Sequence, residues 1–456
     1  MNLPTLPTFV RTAAALAALA ALAPAQAADY VLSARSWGPA QDAAVAAAGG
    51  SVRYSHASGV AVASADGADF LAAALRSGAI ASGAADVVLQ QAPVRTFDLD
   101  LAPDVAAAPT DAYFQYVQWA PQSVQAPAAW AAGYTGRGVR VAVIDGGVYG
   151  AHVDLVANID AAAARSFVPG AAGSCQAAWN CDTGTFWHGT HVSGIIAAPA
   201  NGIGVVGIAP EATIVPVKAL HAGSGSFASV IAAILYAATD GRADIINMSL
   251  GAVYPRREKG AAELDSALNR AVNFAASKGV LVISSAGNDA LDIDHTADLI
   301  VTPAQSGNGL AVSATGPLGF ALGATNFSRF SSYSNWGNSL VSLAGPGGDF
   351  ALEGNALCSL PRNPSGTVTI PCWAFDMVLS TSRGSSVNGG YTWAAGTSMS
   401  APAVAAVAAL IKQKAPGLSV GALKNRLMNS ASDAGKKGHD PYYGRGYVNA
   451  AQAVAD

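Results

Sequence analysis

Three short segments place an acid, a histidine and a serine where such side chains can act together. The apolar run 141–144 ends in Asp145 and two glycines, and His188 opens the segment His-Gly-Thr-His ahead of another apolar stretch. Ser398 follows Gly-Thr at the start of an Ala/Val-rich run that ends near Lys414. A serine hydroxyl is a poor nucleophile at neutral pH, and it becomes reactive beside a base that a third group orients. These residues therefore indicate nucleophilic catalysis.

The setting of Ser398 adds to this interpretation. The run that follows it predicts a helix, so Ser398 would lie at a helix N-terminus. There the macrodipole and the unpaired backbone N–H groups favour the oxyanion that forms during acyl transfer. Taken singly, Ser398 is as well explained as a helix cap and His188 as a core histidine. Their combination with Asp145 favours catalysis.

The elements that must position these residues follow from the apolar pattern. After residue 110, strand-like apolar runs alternate with helical ones. The clearest strands are 139–144, 213–217, 244–249 and 280–284, and the clearest helices are 229–238 and 264–277. The alternation predicts an α/β fold with a mainly parallel sheet covered by helices on both faces. In such folds chemistry gathers at the carboxyl ends of the strands.

The region upstream of this alternation predicts a small α+β domain. Its short strands are predicted at 30–34, 59–63 and 86–89, and its helices near 41–48 and 69–76. The polar, Pro- and Ala-rich stretch 93–110 predicts an exposed linker that is open to proteolysis.

The composition is that of a globular protein. Of the 456 residues 51% are hydrophobic and 12% are charged, so the chain can bury a large core and is unlike a disordered protein. Its 25 basic and 29 acidic residues give a formal net charge of -4. Because the chain lacks a basic stripe, we do not expect nucleic acid as a partner.

Residues 1–27 predict a secretory signal peptide. A single basic residue, Arg11, precedes an Ala/Leu run, and the small residues Ala25 and Ala27 indicate cleavage before Ala28. The alternative, a buried Ala-rich helix, is disfavoured by the N-terminal position and the Ala-x-Ala end. No later segment has 18 uninterrupted apolar residues, so we expect an exported protein with no membrane anchor.

The four cysteines fit an oxidising compartment. They fall in two close pairs, Cys175 with Cys181 and Cys358 with Cys372, although three pairings are formally possible. We favour the two local disulfides because each would hold an irregular Gly-, Asn- or Pro-rich stretch. Neither pair has Cys-x-x-Cys spacing, which argues against the alternative of a zinc site.

At the three segments described first, the chain resembles the subtilisin-like serine peptidases, which share the chain order Asp, His, Ser. The resemblance implies that Ser398 is the nucleophile, that His188 is the general base and then the acid, and that Asp145 orients His188. A further match, Ser-Ser-Ala-Gly-Asn288, implies that the Asn288 amide donates to the oxyanion. The implied activity is hydrolysis of peptide bonds through an acyl-enzyme intermediate.

The resemblance also implies where the substrate backbone binds. One segment resembles the edge strand that pairs with the substrate as an added β-strand, and another precedes the amide donor. The implied substrate-binding residues are Ser249, Leu250, Gly251, Ala286 and Gly287. The next glycine of the family pattern is Ala252 here, which changes the expected shape of the pocket.

One position next to the implied triad departs from the family pattern. The family usually has Ser or Thr after the catalytic Asp, whereas this chain has Gly146. The missing hydroxyl removes a hydrogen bond to Asp145 worth about 1 to 2 kcal/mol. Water or backbone N–H groups would have to replace it, so we expect a working enzyme with an altered acidic limb in its pH profile.

In relatives a calcium ion is held by segments that this chain also carries, namely 111–115, Asp154 and the loop 199–205. Oxygen ligands of mixed type suit Ca2+ better than zinc. The implied ligands are side-chain oxygens of Asp111 (or, as a second choice, Gln115), Asp154 and Asn201, and the backbone carbonyls of Pro199, Ile203 and Val205. The alternative is a loop held by its own Asx turns.

The similarity runs from about Asp111 to Ala450, with an insertion near 349–376 that holds the second cysteine pair. It implies a peptidase domain over 110–456 and a propeptide over 28–109 that helps the domain fold and blocks its cleft until removed. We expect a secreted monomer that acts on proteins or peptides and binds its own propeptide.

Two alternatives to this function remain. A catalytically inactive relative acting as a binding protein is disfavoured by the intact catalytic positions. An acid peptidase of related fold, with a Glu/Asp pair beside its serine, is disfavoured by His188.

Overall fold

The computed structural model describes residues 28–90, 94–101, 111–296 and 298–456, and the predicted signal peptide lies outside these ranges. The N-terminal domain is a four-stranded antiparallel sheet of order β2-β3-β1-β4 with two helices. Its elements are β1 (Ala28–Ser33), α1 (Pro39–Ala47), β2 (Gly50–His56), β3 (Val60–Ala65), α2 (Phe70–Arg76) and β4 (Ser82–Ala85). The predicted small α+β domain is therefore present.

Two further strands, β5 (Val88–Gln90) and β6 (Arg95–Leu101), connect this domain to a large one. The strands of the large domain are β7 (Arg140–Asp145), β8 (Arg165–Ser166), β9 (Thr213–Lys218), β10 (Leu220–His221), β11 (Ser224–Ser226), β12 (Ile245–Met248), β13 (Ala252–Pro255), β14 (Leu281–Ser285), β15 (Leu299–Thr302), β16 (Leu310–Thr315), β17 (Leu343–Pro346), β18 (Leu357–Pro361), β19 (Thr367–Pro371), β20 (Val378–Ser382) and β21 (Gly390–Ala395). Its helices are α3 (Ala120–Ser123), α4 (Ala126–Ala131), α5 (His188–Ala197), α6 (Phe227–Ala237), α7 (Ala261–Ser277), α8 (Thr397–Lys414), α9 (Val420–Asn429) and α10 (Ala450–Val454).

A seven-stranded parallel sheet of order β17-β16-β14-β12-β7-β9-β8 forms the centre of the large domain. The four strands predicted from apolar runs are β7, β9, β12 and β14, which lie side by side. Helices α5 and α8 cover one face of the sheet and α6 and α7 cover the other, so both faces are apolar. The predicted α/β fold is confirmed, with the ends of these elements displaced by at most three residues.

The small domain packs against α6 and α7 through the free face of its sheet. Leu32 and Ala63 pack with its own helices, whereas the alternating residues Val31 and Val62 belong to the core of the large domain. Successive side chains of a strand point to opposite faces, so strands that are apolar throughout fit between two helical layers.

The prediction of an exposed linker over 93–110 is wrong for its first part. Residues 95–101 form β6, which pairs antiparallel with β21, while β5 pairs antiparallel with β11. The sequence Arg-Thr-Phe-Asp-Leu-Asp-Leu alternates polar and apolar residues as a strand does, and β21 provides the edge that it needs. Residues 102–110 lie outside the described ranges.

Both predicted disulfides are confirmed, Cys175–Cys181 and Cys358–Cys372. The second closes the β18–β19 hairpin within the insertion 349–376. In the part of the chain that the structure describes, no helix is long and apolar enough to cross a membrane.

Candidate active site

Asp145 is the last residue of β7 and lies at the carboxyl edge of the central sheet. Its side chain is fully buried, and both carboxylate oxygens lie 2.9 Å from Nδ1 of His188. The backbone N–H of Gly146 donates to Oδ1 of Asp145 at 2.7 Å. This backbone N–H is a hydrogen-bond donor to the carboxylate that does not depend on the side chain at position 146.

His188 is the first residue of α5, as predicted. With Nδ1 held by the carboxylate of Asp145, the other ring nitrogen, Nε2, is the atom left for proton transfer. The ring is largely buried, with 10% of the side chain exposed. The pair therefore has the geometry of a base oriented by an acid.

Ser398 is the second residue of α8, and its Oγ donates to the carbonyl of Ser249 at 3.2 Å. In return, Oγ of Ser249 donates to the carbonyl of Ser398 at 2.7 Å. The residue four positions on is Pro402, which has no N–H to donate to that carbonyl as a regular helix would. Ser249 thus completes the first turn of the helix that carries Ser398.

Asn288 follows β14 and faces the same helix N-terminus. Its Oδ1 accepts hydrogen bonds from the backbone N and from Oγ1 of Thr397, at 2.9 and 2.7 Å. The amide nitrogen Nδ2 of Asn288 lies close to Gly396, since a Cβ atom placed on that glycine would be 3.3 Å from Nδ2. A donor fixed in this way suits an oxyanion that forms beside Ser398.

A cavity of about 430 Å3 opens between β13, β14 and Ser398. Of the predicted substrate-binding residues, Leu250, Gly251 and Gly287 line it, and Ala252, at the departure from the family pattern, also faces it. The other two predicted residues, Ser249 and Ala286, are fully buried. Residues 87–89 of the N-terminal segment line the same cavity, so that segment reaches the candidate active site.

Asp182 is a site residue that sequence reasoning missed. Its Oδ2 accepts a hydrogen bond from the backbone N of Gly147 at 2.9 Å, and a Cβ atom placed on Gly146 would lie only 2.4 Å from that oxygen. The space beside Asp145 that a Ser or Thr side chain would fill is therefore taken by a carboxylate. The sequence carries no signal for this contact beyond the position of Asp182 next to Cys181.

The loop that carries Asp182 is held by a buried lysine. Lys218, at the end of β9, is 1% exposed, and its Nζ donates to the carbonyls of Cys175 and Ala178 at 2.8 and 3.3 Å. Nζ also contacts Nδ1 of His221 at 3.2 Å. The disulfide loop, Asp182 and the end of β7 thus form one connected unit.

His191, one helical turn after His188, lies inside the protein. Its side chain is fully buried, and Nε2 hydrogen-bonds to the carbonyl of Thr392 at 2.9 Å. Burial lowers the pKa of His191 to about 3, so the ring is neutral under ordinary conditions. These features agree with the structural role predicted for it.

The three segments predicted to bind calcium meet at one place beside β21. Oδ1 of Asp111 accepts hydrogen bonds from the backbone N atoms of Asn201 and Gly202 at 3.2 Å each. Oδ2 of Asp154 accepts from the backbone N of Val205 at 3.0 Å and from the hydroxyl of Tyr391 at 3.1 Å. Among the described residues, Oδ1 of Asp154 is a buried atom with no hydrogen-bond partner.

The two carboxyl groups at this place, Asp111 and Asp154, have raised pKa values. Burial raises the pKa of Asp111, and burial together with the charge of Asp111 raises the pKa of Asp154 well above its usual range. No cluster of three or more His, Cys, Asp or Glu side chains occurs in the described ranges, so a cation here would need amide and carbonyl oxygens as well. Such a mixed oxygen set is one that Ca2+ accepts.

Comparison with known proteins covers most of the chain. Residues 136–446 match the subtilase family. The chain is 37% identical over 361 residues to M-protease of Shouchella clausii, covering 78% of this chain and 76% of the relative. It is also 37% identical over 341 residues to subtilisin Savinase of Lederbergia lenta, covering 75% and 99%.

Solved structures agree with the fold. The epidermin leader peptide processing serine protease of Staphylococcus aureus superposes with a TM-score of 0.72 at 21% identity, over 94% of this chain and all of that one. A protease of Pseudoalteromonas arctica has a TM-score of 0.57 at 28% identity, over 76% and 99%. Nothing in these comparisons supports the alternative of a catalytically inactive binding protein.

Replacing Gly146 tests the role of Asp182. In Gly146→Ser the new side chain meets the Asp182 carboxylate, so we expect a stability loss of about 1 to 3 kcal/mol from overpacking. We also expect kcat/KM for peptide hydrolysis to fall by about tenfold or more, because small displacements at a catalytic group are costly. Urea unfolding and kcat/KM profiles against pH measure the two effects.

The matched control makes the same replacement where the space has been cleared. In an Asp182→Ala background, Gly146→Ser should cost much less than in the natural chain, so the two losses should not add. Equal losses in both backgrounds would contradict the steric explanation.

Proposed function

Since this chain belongs to the subtilase family and is a serine endopeptidase, we propose that Asp145, His188 and Ser398 form its catalytic triad. The observation that carries the proposal is the paired contact of the Asp145 carboxylate with Nδ1 of His188, at the sheet edge where the helix of Ser398 begins. About three-quarters of the chain is matched by relatives that are named as subtilisins and alkaline proteases, at coverages of 75 to 78%.

The proposed reaction begins when Oγ of Ser398 attacks the scissile carbonyl and Nε2 of His188 takes its proton. The buried carboxylate of Asp145 stabilises the imidazolium that results. The oxyanion is stabilised by Nδ2 of Asn288 and by backbone N–H groups at the start of α8. Loss of one such donor lowers turnover about 100- to 1000-fold in enzymes of this family.

In the second half of the reaction the imidazolium of His188 gives its proton to the leaving amine. The acyl group remains on Oγ of Ser398 until His188, again a base, activates a water molecule that hydrolyses the ester. Proton transfer in both directions through one nitrogen requires a ring that does not rotate, and the contact with Asp145 provides that restraint.

We assign substrate binding on the acyl side to two edges, β11 and the segment Ser249–Gly251. A peptide lying between them would add a strand to the enzyme. The cavity lined by Leu250, Gly251 and Gly287 would take the side chain next to the scissile bond, and its apolar lining favours uncharged side chains there.

The N-terminal domain is proposed to be a propeptide covering 28–109. Strand β5 occupies the edge of β11 that a substrate would use, and Leu89, which is 4% exposed, packs into the core of the large domain. The strand therefore competes with substrate for the same backbone groups. Removal of the domain would open the acyl side of the cleft.

Export through the leader 1–27 is proposed on two grounds. The relatives include secreted extracellular proteases, and two disulfides suit an oxidising compartment outside the cytoplasm. We propose that the mature enzyme, 110–456, acts there as a monomer on proteins or peptides.

The residues around Asp154 fit a structural calcium ion. Asp111, Asp154 and Asn201 would supply side-chain oxygens, with backbone carbonyls of Pro199, Ile203 and Val205 completing the set, and Gln115 is the second choice for Asp111. A cation would satisfy the unpaired Oδ1 of Asp154 and compensate two buried carboxylates at once.

Replacing the nucleophile tests the triad. In Ser398→Ala we expect casein hydrolysis to fall by about 1,000-fold or more, with no self-processing of the precursor, because the acyl-enzyme cannot form. Unchanged melting temperature would show that the variant is folded. An organophosphate-type serine reagent should lower the activity of the natural chain to the level of Ser398→Ala. Equal casein hydrolysis by the natural chain and by Ser398→Ala would contradict the mechanism.

Chelation tests the calcium site, in the Ser398→Ala background to avoid self-digestion. Saturating calcium at about 100 times its Kd should stabilise the protein by about 2.7 kcal/mol relative to excess EDTA. In EDTA, ionising the two carboxylates whose pKa values are raised costs stability, so stability should fall as pH rises above the usual Asp range. The gain from calcium should grow over the same range, because the ion binds the deprotonated pair.

The control for the calcium test is a pair of Asp→Asn changes. Asp154→Asn should remove the response of the melting temperature to calcium, whereas Asp298→Asn, at a carboxylate with 67% exposure, should keep it. Full thermal stability and protease resistance of the natural site in EDTA would rule calcium out.

A further inference from the structure

The chain of the precursor passes from one side of Ser398 to the other. Strand β5 lies along β11 on the acyl side, and Val94 lies against Gly396, where a methyl group would come within 2.8 Å of its Cγ1. Strand β6 then runs antiparallel to β21, the strand that leads directly into Ser398. Because β6 follows β5 in the chain, it occupies the side on which the leaving group of a substrate would lie.

Removal of β6 would leave β21 with a free edge next to the nucleophile. In the precursor β21 is the middle strand of a three-stranded sheet, with β20 on its other side. Its backbone groups pair with β6 from Ala395, opposite Arg95, to Tyr391, opposite Leu101. A free edge of this kind binds an extended peptide through main-chain hydrogen bonds.

The side chains of β6 show what this edge can recognise. The guanidinium of Arg95 lies 5.6 Å from the ring centroid of Trp373 and forms an ion pair with Glu353. Phe97 meets the same tryptophan edge to face, with centroids 5.9 Å apart. Residues two apart on a strand point to the same face, so one ring receives a cation and an aromatic side chain together.

Both recognising residues belong to the insertion 349–376. Trp373 is 7% exposed and is part of a core cluster with Phe375, next to the disulfide Cys358–Cys372. That exposure includes the cover of β6, but the core cluster around Trp373 belongs to the large domain and remains when β6 is removed. Glu353 lies at the surface with 49% of its side chain exposed. A fixed aromatic platform with a carboxylate at its rim is suited to a basic side chain.

We propose that Glu353 and Trp373 form a subsite on the leaving-group side that selects a basic residue followed, two positions later, by an aromatic one. In the precursor this subsite holds Arg95 and Phe97. In the mature enzyme it binds the corresponding residues of the substrate beside the edge of β21. The inference rests on the proposed triad and on removal of the proposed propeptide, and it extends them to specificity.

The test uses internally quenched peptides with one acyl-side sequence and three leaving-side sequences, Arg-Ser-Phe, Ala-Ser-Ala and Glu-Ser-Phe. Each sequence begins at the second or, in a second set, the third residue after the scissile bond, and mass spectrometry identifies the bond cleaved. For the mature natural chain we expect kcat/KM to be about 3- to 10-fold higher for Arg-Ser-Phe than for Ala-Ser-Ala, since one exposed ion pair and one cation–π contact are gained.

Charge variants at an exposed position keep the fold intact. Glu353→Gln should reduce the preference for Arg, and Glu353→Lys should reverse it, so that Glu-Ser-Phe becomes better than Arg-Ser-Phe. Trp373→Leu should reduce the preference for Arg-Ser-Phe over Ala-Ser-Ala. Glu263→Gln, the same change at an exposed glutamate on α7, is the matched control and should keep the natural ratios.

The Ala-Ser-Ala peptide distinguishes a failure of the proposed triad from a failure of the proposed subsite. Its hydrolysis depends on the triad alone, so failure of the natural chain to cleave it, or cleavage by Ser398→Ala, would overturn the proposed mechanism and this subsite with it. Normal cleavage of all three peptides at equal kcat/KM, or unchanged ratios in Glu353→Lys, would overturn the subsite and leave the triad standing.

Discussion

The burial of helix α8 is the constraint on which the site depends. All of its residues from Thr397 to Lys412 are buried, and the helix passes close to β17 because Gly345 and Gly347 have no side chains. A Cβ atom on either glycine would lie 3.0 or 2.5 Å from atoms of Ser400. Since interiors are densely packed, the helix cannot shift by itself. Its first turn therefore stays where β7 and β14 end, and Ser398 faces partners that the sheet holds.

The parts of this arrangement that were predicted from the sequence have local signatures. Continuous apolar runs mark the central strands, and a polar residue that closes such a run lies at the sheet edge, as Asp145 does. The helix start at Ser398 follows from the Ala/Val run behind it. The carboxyl ends of parallel strands lie at a common edge, so the predicted strands also indicate where the candidate site lies. The two local disulfides followed from short spacing in the same way.

What was missed depends on contacts between segments that are distant in the chain. The sequence predicts a linker where β6 lies because the pairing partner of this strand, β21, is distant in the chain. Asp182 affects position 146 because two loops lie side by side in the fold, and the hydrophobic periodicity of the sequence does not indicate this contact. The sequence identifies Gly146 only as a missing hydroxyl, and it gives no sign that the Asp182 carboxylate takes the space that a side chain there would fill.

Lys218 gives the disulfide loop a cation of its own. Its ammonium group sits among backbone carbonyls much as a metal ion sits in an oxygen cage, and burial lowers the pKa of Lys218. Unlike an ion taken from the medium, this charge is tethered to β9 and can be neither diluted nor sequestered. The wall of the cleft that adjoins Asp145 thus keeps its positive charge whatever the calcium content of the medium, whereas the site proposed at Asp111 and Asp154 would take its cation from the medium.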